Sequence, residues 1–382
     1  MLPTKPLSIY IHVPFCKAKC TYCDFYSLVG RETSIPAFVK RICEELARAK
    51  SAYHLKDYYL DTIFFGGGTP NLLSPQQLDT ILRSIHDLVA GSHETEIGLE
   101  VNPGEISQND LHNYIALGFN RISVGVQSFQ PDLLRFMSRI HTVEQSIDTF
   151  RLIRQAGFKN VSGDLIFAIP GQTRDVWLAD LQRLVELEPE HISTYSLTVE
   201  EGTALHRWVT AGHVHMLEEV MDIDMYSSGR DFLADQGYVN YEISNHALPG
   251  HHCRHNMNYW TGVEYLGFGP GAHSYFASNR FWNPADLHLY LNPETEGSFS
   301  PEMETIDQQT AANEMILTRL RLTEGLNISE FNNRFHEDFL AGRQAILHKW
   351  SEELSLTGNR LQVTRAGWSL IDEISSDLMH AV

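Results

Sequence analysis

Cys16-Lys17-Ala18-Lys19-Cys20-Thr21-Tyr22-Cys23 is the stretch that decides the fold, because it places three cysteines four and three residues apart. It follows a β-like run at residues 8–15. Thiolates bind soft metals and are the usual ligands of iron–sulfur clusters. A structural zinc site takes four ligands, whereas three thiolates suit a four-iron cluster that keeps one iron open. We therefore predict an iron–sulfur site at Cys16, Cys20 and Cys23, with three free thiols as the alternative.

The composition is typical of a globular chain of two or three domains, with 382 residues, 43% hydrophobic and 20% charged. The sequence has no run of eighteen apolar residues and no apolar signal segment near its start. We expect a cytoplasmic protein with at most peripheral membrane contact. The net charge of −19 argues against a nucleic-acid partner, because phosphate contacts need clustered basic residues. Five cysteines, three of them clustered, do not form a disulfide framework.

Strand-like and helix-like runs alternate up to about residue 210, which predicts a parallel sheet with right-handed crossovers. The predicted strands are residues 8–15, 62–65, 96–101, 121–126, 161–167 and 191–197. The predicted helices are residues 35–50, 75–89, 108–117, 143–156 and 175–186.

Polar residues and glycines follow these strands at their carboxyl ends. The second strand runs into Gly66-Gly67-Gly68-Thr69-Pro70, the third into Glu100-Val101-Asn102-Pro103 and the fourth into Gln127, while the fifth carries Asp164. In a β/α barrel the active site forms at this rim. A chance set of turn residues would be scattered over both rims, so this one-sided pattern predicts a shared site.

The alternation weakens after residue 210. A helix is predicted at 217–236, followed by a polar and aromatic region at 251–275 without clear periodicity, which is typical of a functional loop or binding surface. Helices are predicted again at 305–322, 328–335, 340–354 and 367–378, with a hairpin-like run at 359–364. This tail resembles a winged-helix module. We predict three parts: a core at 1–240, a connecting region at 241–299 and a C-terminal domain at 300–382.

The cysteine motif after Tyr10-Ile-His-Val-Pro-Phe15, with the glycine loop at 66–70, resembles radical S-adenosylmethionine (SAM) enzymes. The similarity is greatest to the oxygen-independent coproporphyrinogen III oxidase group of porphyrin biosynthesis. The resemblance implies an α/β fold, a partial (β/α)6 TIM-like barrel with a C-terminal, mainly helical, winged-helix-like domain. It also implies a [4Fe–4S] cluster on Cys16, Cys20 and Cys23, with SAM on the fourth iron. Reductive cleavage of SAM is chemistry that belongs to these cofactors.

The same resemblance implies which side chains hold SAM. Gly67, Gly68 and Thr69 would contact its methionine part. Five further residues would complete the site: Tyr10, Glu100, Gln127, Arg139 and Asp164. Each has a simpler interpretation, since the glycines could form a turn, Glu100 could end a surface strand and Arg139 could be an ordinary loop charge.

Two features separate the subfamilies. The decarboxylating oxidase carries Cys-x-x-Cys-x-Cys and a longer N-terminal extension, whereas here Phe25 stands in place of the fourth cysteine and fifteen residues precede Cys16. The stretch from His255 to Trp260 matches the His-Asn-x-x-Tyr-Trp signature of HemW-type heme chaperones. The resemblance therefore favours a heme chaperone that delivers heme to hemoproteins. The alternative is oxidative decarboxylation of coproporphyrinogen III, and cleavage of SAM is left open.

The signature makes chemical sense near heme, because histidine can ligate iron and aromatic side chains offer flat apolar faces. We therefore predict His255, Tyr259 and Trp260 as heme-contacting residues, with a packed inter-domain corner as the alternative. The expected partners are heme, acceptor hemoproteins and an electron donor for the cluster, and a homodimer is consistent with the sequence. Radical modification of RNA is disfavoured by the acidic charge.

Overall fold

The strand-like runs of the first half of the chain form the centre of a large sheet. A computed structural model describes residues 3–92, 94–292 and 301–379. Its strands are β1 Lys5–Val13, β2 Phe15–Cys16, β3 Leu28–Val29, β4 Tyr58–Gly67, β5 Glu96–Val101, β6 Arg121–Gln127, β7 Val161–Phe167, β8 His191–Ser196, β9 Val239–Asn240, β10 Asn245–Ala247, β11 Tyr265–Phe268, β12 His273–Phe276, β13 Asn279–Trp282, β14 Glu302–Thr305, β15 Leu326–Asn327, β16 Leu354–Thr357 and β17 Arg360–Val363.

The helices alternate with the strands through the first half of the chain. They are α1 Ile35–Ala52, α2 Pro75–Leu88, α3 Gln108–Ala116, α4 Pro131–Phe136, α5 Val143–Ala156, α6 Arg174–Val185, α7 Ala204–Thr210, α8 Glu219–Asp235, α9 Arg254–Thr261, α10 Leu287–Leu291, α11 Gln308–Leu320, α12 Ile328–Phe335, α13 Phe339–Lys349 and α14 Ile371–Met379. Short 3-10 turns lie at Glu32–Ser34, Pro70–Leu72 and Arg365–Leu370.

Six parallel strands form the centre of the sheet in the order β1-β4-β5-β6-β7-β8. The predicted (β/α)6 core is confirmed. β11 pairs in parallel with the other edge of β1, and β12, β13 and β14 extend the sheet from there as antiparallel strands. β10 and β9 add antiparallel strands beyond β8. In total, twelve strands of the described residues belong to this sheet.

The first strand shows why both faces of the sheet are covered. Leu7, Ile9, Ile11 and Val13 are fully buried in the hydrophobic core that includes Phe38 of α1. The alternate residues, among them Ser8, Tyr10 and His12, face the other way, because successive side chains of a strand point to opposite faces. Polar residues on that second face line the interior of the partial barrel.

Local signals define the helix ends. Ser74 caps α2 through a capping box with Gln77, as a serine before Pro75 predicts. Gly157 ends α5 in the left-handed conformation with φ 106°. The predicted helix at 340–354 is too long, because α13 ends at Lys349 and Leu354 begins a strand that pairs with Val363.

The region from 251 to 275 differs from the prediction of an irregular loop. It contains the helix α9 and the strand β11, which adds to the parallel sheet. α9 spans 8 residues, which is too short to give a clear helical period. Its start is fixed by a distant side chain, since the carboxylate of Glu96 accepts hydrogen bonds from the main-chain N–H groups of Arg254 and His255.

The C-terminal part has its own core, in which α11, α12, α13 and α14 pack around Phe331, Phe339 and Ile374. β15, β17 and β16 form a small antiparallel sheet beside these helices. This mainly helical arrangement with a hairpin agrees with the predicted fold class. The three-part division of the chain stays a prediction, and its boundary between residues 299 and 300 lies outside the described residues.

Candidate cofactor site

The cysteine loop leaves the sheet at the carboxyl end of β1. The short parallel pair β2–β3 brings Cys16 beside Val29, so the intervening residues form a closed loop that carries Cys20 and Cys23. The ammonium group of Lys19 folds this loop by donating to the carbonyl oxygen of Phe25 at 2.7 Å and to Oγ of Ser27 at 2.8 Å. All five cysteines of the chain are free thiols.

A cavity of about 620 Å³ lies at the carboxyl ends of the parallel strands. The structure brings ten of the predicted site residues to its wall: Cys16, Cys20, Cys23, Gly67, Gly68, Thr69, Glu100, Gln127, Arg139 and Asp164. Tyr22, Asn102 and Tyr195, to which the sequence analysis assigned no role, also belong to the wall, as does Phe25, the residue in place of the fourth cysteine. Phe25 is 62% exposed there, a high value for so apolar a side chain.

Gly67 and Gly68, at the end of β4, are required by close packing. Gly67 has φ 107°, and a Cβ atom on it would lie 2.6 Å from Cε1 of His12. A Cβ atom on Gly68 would lie 2.6 Å from the carbonyl oxygen of Phe15 and 3.0 Å from Sγ of Cys16. Only glycine fits both positions. The glycine backbone therefore lies directly against the first cysteine, where a bound molecule could contact it.

Arg139 brings a positive charge to the same wall. Its Nη1 donates to Sγ of Cys20 at 3.5 Å, and its Nη2 donates to Oδ1 of Asn102 and to the carbonyl oxygen of Gly125, both at 2.7 Å. Its Nε is buried and finds no hydrogen-bond partner within the described part of the chain. Asn102 also donates from Nδ2 to Oγ1 of Thr69 at 3.0 Å. The signal for Asn102 in the sequence was its position just after the strand that carries Glu100.

Two carboxyl groups of the wall, Glu100 and Asp164, lie on β5 and β7, with β6 between them. Loss of hydration, with the nearby charge of Asp164 as a second cause, raises the pKa of Glu100 to about 8. The main-chain N–H of Gly67 donates to Oε2 of Glu100 at 3.2 Å. Loss of hydration also raises the pKa of Asp164, although the hydroxyl of Ser123 donates to its Oδ2 at 2.8 Å and that of Ser162 to its Oδ1 at 3.2 Å. These oxygens can accept hydrogen bonds from an amino group or a sugar hydroxyl.

The raised pKa of Glu100 gives a prediction for stability. In the unfolded chain this carboxyl ionises near its ordinary value of 4.5, whereas in the folded protein it ionises near 8. Between these values the unfolded state binds fewer protons, so the free energy of unfolding falls as pH rises to about 8. We expect Glu100→Gln without SAM to unfold like the wild type at pH 5 and at a higher urea concentration than the wild type at pH 8. Urea titrations at both pH values measure this.

Glu201→Gln, an exposed carboxyl on a turn, is the matched control and should follow the wild type at both pH values. A Glu100→Gln midpoint equal to that of the wild type at pH 8 would mean that folding does not raise the pKa of Glu100.

The donor set fits a cluster better than a single metal ion. Within residues 3–92, 94–292 and 301–379, no three His, Cys, Asp or Glu side chains converge on one point, as a zinc site requires. In a cubane cluster each thiolate binds a different iron, so the three sulfurs need only surround the cluster. Three thiols on one cavity wall, beside a glycine backbone and an arginine, meet that requirement.

Four predicted site residues lie away from the cavity wall. The ring of Tyr10 is behind Gly66, and its hydroxyl lies 3.1 Å from Nδ1 of His12. His255 is 2% exposed, with Nδ1 2.7 Å from Oγ1 of Thr62 and Nε2 2.9 Å from the hydroxyl of Tyr259. Trp260 is half-buried on the same helix, α9. These contacts are those of a packed corner, and the heme role of the three α9 residues stays a prediction.

Comparisons with other proteins agree with this architecture. The radical SAM superfamily model matches residues 10–184, and the HemN C-terminal domain model matches residues 306–370. The heme chaperone HemW of Lactococcus lactis is 35% identical over 336 residues, which cover 88% of this chain and 86% of that protein. HemW of Escherichia coli is 32% identical over 87% of this chain and 86% of that protein. HemW of Mycobacterium tuberculosis (strain H37Rv) is 31% identical over 99% of this chain and 96% of that protein.

The chain belongs to the HemW family. The radical SAM match implies a [4Fe–4S] cluster and SAM for members of this superfamily. One solved structure is that of coproporphyrinogen III oxidase (HemN) from Escherichia coli, a radical SAM enzyme. It superposes with a TM-score of 0.85, over 100% of this chain and 91% of the HemN chain. At 22% identity, that similarity shows a shared fold and no more. None of the helices in the described residues is long and apolar enough to cross a membrane.

Proposed function

We propose that this HemW-family chain is a heme chaperone, which binds heme and transfers it to acceptor hemoproteins. The observation that carries the proposal is the match over most of the chain to relatives named as heme chaperones, such as the one 35% identical over 88% of this chain. Phe25 supports it, because the decarboxylating oxidases that the sequence resembles carry a cysteine at that place.

We further propose that Cys16, Cys20 and Cys23 hold a [4Fe–4S] cluster and that the wall beside them holds SAM. The main chain at Gly67 and Gly68, with Thr69, would face the methionine part of SAM. Arg139 would hold its carboxylate, because a guanidinium donates two parallel hydrogen bonds to such a group. When bound, the cluster would supply an electron to the sulfonium of SAM. An electron donor is therefore a proposed partner.

The remaining SAM residues would act through their acceptor oxygens and position. Glu100 and Asp164 would accept hydrogen bonds from the amino group and the ribose, and Gln127 would lie beside them at the end of β6. Gln127 has φ 67°, a conformation that non-glycine residues rarely adopt and that is common at functional sites. Tyr10 would act from behind the glycine loop. We propose no decarboxylase activity, since the likeness to HemN extends to the fold alone.

A paired experiment tests the proposed function. The anaerobically reconstituted full chain is titrated with heme by absorbance, and the same preparation is incubated with coproporphyrinogen III, SAM and a reductant. We expect saturable heme binding, transfer of that heme to an apo-hemoprotein and no release of CO₂. Sustained release of CO₂ together with absent heme transfer would refute the chaperone assignment and establish the oxidase alternative.

A further inference from the structure

The helix α9 closes the amino end of the partial barrel, opposite the cysteine loop. Its residues contact the first halves of the parallel strands. Asn258 donates from Nδ2 to Oγ of Ser8 on β1 and to Oδ2 of Asp61 on β4, both at 2.8 Å. Glu96, which binds the start of α9, is the first residue of β5. The cysteines and Gly67 lie instead at the carboxyl ends of these strands. α9 and the cavity are therefore at opposite ends of the barrel.

Both ends of α9 are held by buried or half-buried charges. Glu96 forms an ion pair with Arg121 on β6, with Oε2 and Nε 3.1 Å apart. Arg121 in turn donates from Nη2 to the carbonyl oxygens of His251 and His252 at 2.8 and 2.9 Å. These contacts are almost completely shielded from water, where a paired charge is hard to displace.

The C-terminal domain holds the other end of α9. Arg319 on α11 donates from Nη2 to the carbonyl oxygen of Thr261, the last residue of the helix, at 2.8 Å. A cation at a helix C-terminus is favourable, because the last carbonyl oxygens carry partial negative charge. α9 is thus fixed between the barrel and the C-terminal domain.

His255 lies on the barrel side of α9 and is neutral. Burial lowers its pKa to about 3. The hydroxyl of Thr62 donates to Oγ of Ser8 at 3.0 Å, so it accepts from Nδ1 of His255. Nε2 is then the acceptor for the hydroxyl of Tyr259. The ring nitrogen that would bind a metal is therefore already used within the protein.

The ring of His255 packs against β4 just before the glycines of the cavity wall. It stacks on the ring of Phe64 with centroids 5.1 Å apart and planes 17° apart. Phe64 in turn fills the space beside Gly66, where a Cβ atom would lie 3.2 Å from Cε1 of Phe64 and 3.2 Å from Oε2 of Glu100. Gly66 precedes the glycines of the cavity wall. A continuous series of contacts therefore runs from His255 through Phe64 to Gly66 and Glu100.

We propose that α9 supports the wall of the SAM chamber from behind and that His255 is a positioning residue for SAM instead of an iron ligand. This inference rests on the SAM site proposed above. His255 keeps Phe64 in place, and Phe64 keeps the glycine loop and the carboxylate of Glu100 where SAM would meet them. Loss of the imidazole leaves a space beneath Phe64, into which the ring can move, so the wall loses its shape for SAM.

The test measures SAM and heme affinities separately on the anaerobically reconstituted full chain, by equilibrium dialysis and by absorbance titration. We expect His255→Ala to weaken SAM binding about tenfold or more, with the iron content per chain and the heme affinity unchanged. Tyr259→Phe removes one hydroxyl and should weaken SAM binding about threefold, the effect of a single hydrogen bond. His54→Ala, a substitution of an exposed histidine, should change neither affinity.

Other outcomes overturn the inference. Wild-type SAM affinity in His255→Ala would refute it, as would loss of heme binding with SAM binding intact, which would make His255 the heme ligand. If His255→Ala does not fold, wild-type SAM affinity in Tyr259→Phe refutes it. A wild-type chain that binds heme but not SAM would refute the inference and leave the chaperone function standing. A chain that binds SAM but not heme would refute the proposed function, while the SAM series would still decide the role of His255.

Discussion

Replacing Cys20 by serine is expected to abolish the iron–sulfur cluster of the reconstituted protein. Cys20 lies in the middle of the loop closed by β2 and β3, with its sulfur accepting from Nη1 of Arg139 at 3.5 Å. Without it, two thiols would remain for about four irons, and such clusters normally take four ligands. We expect the iron content to fall from about four per chain to near zero. Iron and sulfide analysis, together with visible absorbance, measures the loss.

Cys43→Ser is the matched control for Cys20→Ser. Cys43 is a half-buried free thiol on α1, with its sulfur near the carbonyl oxygen of Thr80, and it does not line the cavity. Its replacement should leave the iron content at the wild-type value. Equal iron content in the two variants would show that the cluster, if present, is not held by the loop.

Replacing Arg139 by alanine is expected to produce the largest loss of SAM affinity that leaves the cluster assembled. Arg139 contacts the cluster loop through Cys20 and the loop after β5 through Asn102. It is also the cation that would meet the carboxylate of SAM. A hydrogen bond to a charged group contributes about 1.5–3 kcal/mol, which corresponds to about 10-fold to 150-fold in affinity. We expect SAM binding to weaken about 100-fold, measured by equilibrium dialysis on protein of known iron content.

Arg135→Ala provides the control for this substitution. Arg135 lies four residues earlier, on α4, where its guanidinium is exposed and paired with Asp132. Exposed ion pairs contribute little, so its SAM affinity should equal that of the wild type. If Arg139→Ala also binds SAM like the wild type, the carboxylate of SAM must be held by another residue.

The cluster loop and the rim could be predicted because their signals are local. The spacing of Cys16, Cys20 and Cys23 is contained in eight residues. Strand–helix alternation predicts a parallel sheet, in which the carboxyl ends of the strands meet at one edge. Hence ten predicted residues line one cavity. The bounds of α5, β5 and β7 also agree with the predictions, since hydrophobic period and capping residues act within each element.

The surroundings of the site could not be predicted, because they depend on contacts between distant residues. Asn102 and Arg139 are 37 positions apart, and nothing in either neighbourhood shows that the two side chains meet. α9 is a more extreme case. Its helical form depends on Glu96, which lies 159 positions before His255, and a helix of 8 residues gains little from local propensity.

By itself, the sequence determined the three-cysteine loop, the parallel core and the rim at which the site forms. The tertiary structure alone decided that the His-Asn-x-x-Tyr-Trp helix lies beneath that site. His255 and Thr62 are 193 positions apart, yet their side chains are 2.7 Å from each other inside the barrel. The physical reason is that motif spacing determines which atoms one loop can present, whereas burial and hydrogen bonding between remote segments determine which groups remain free to bind a ligand.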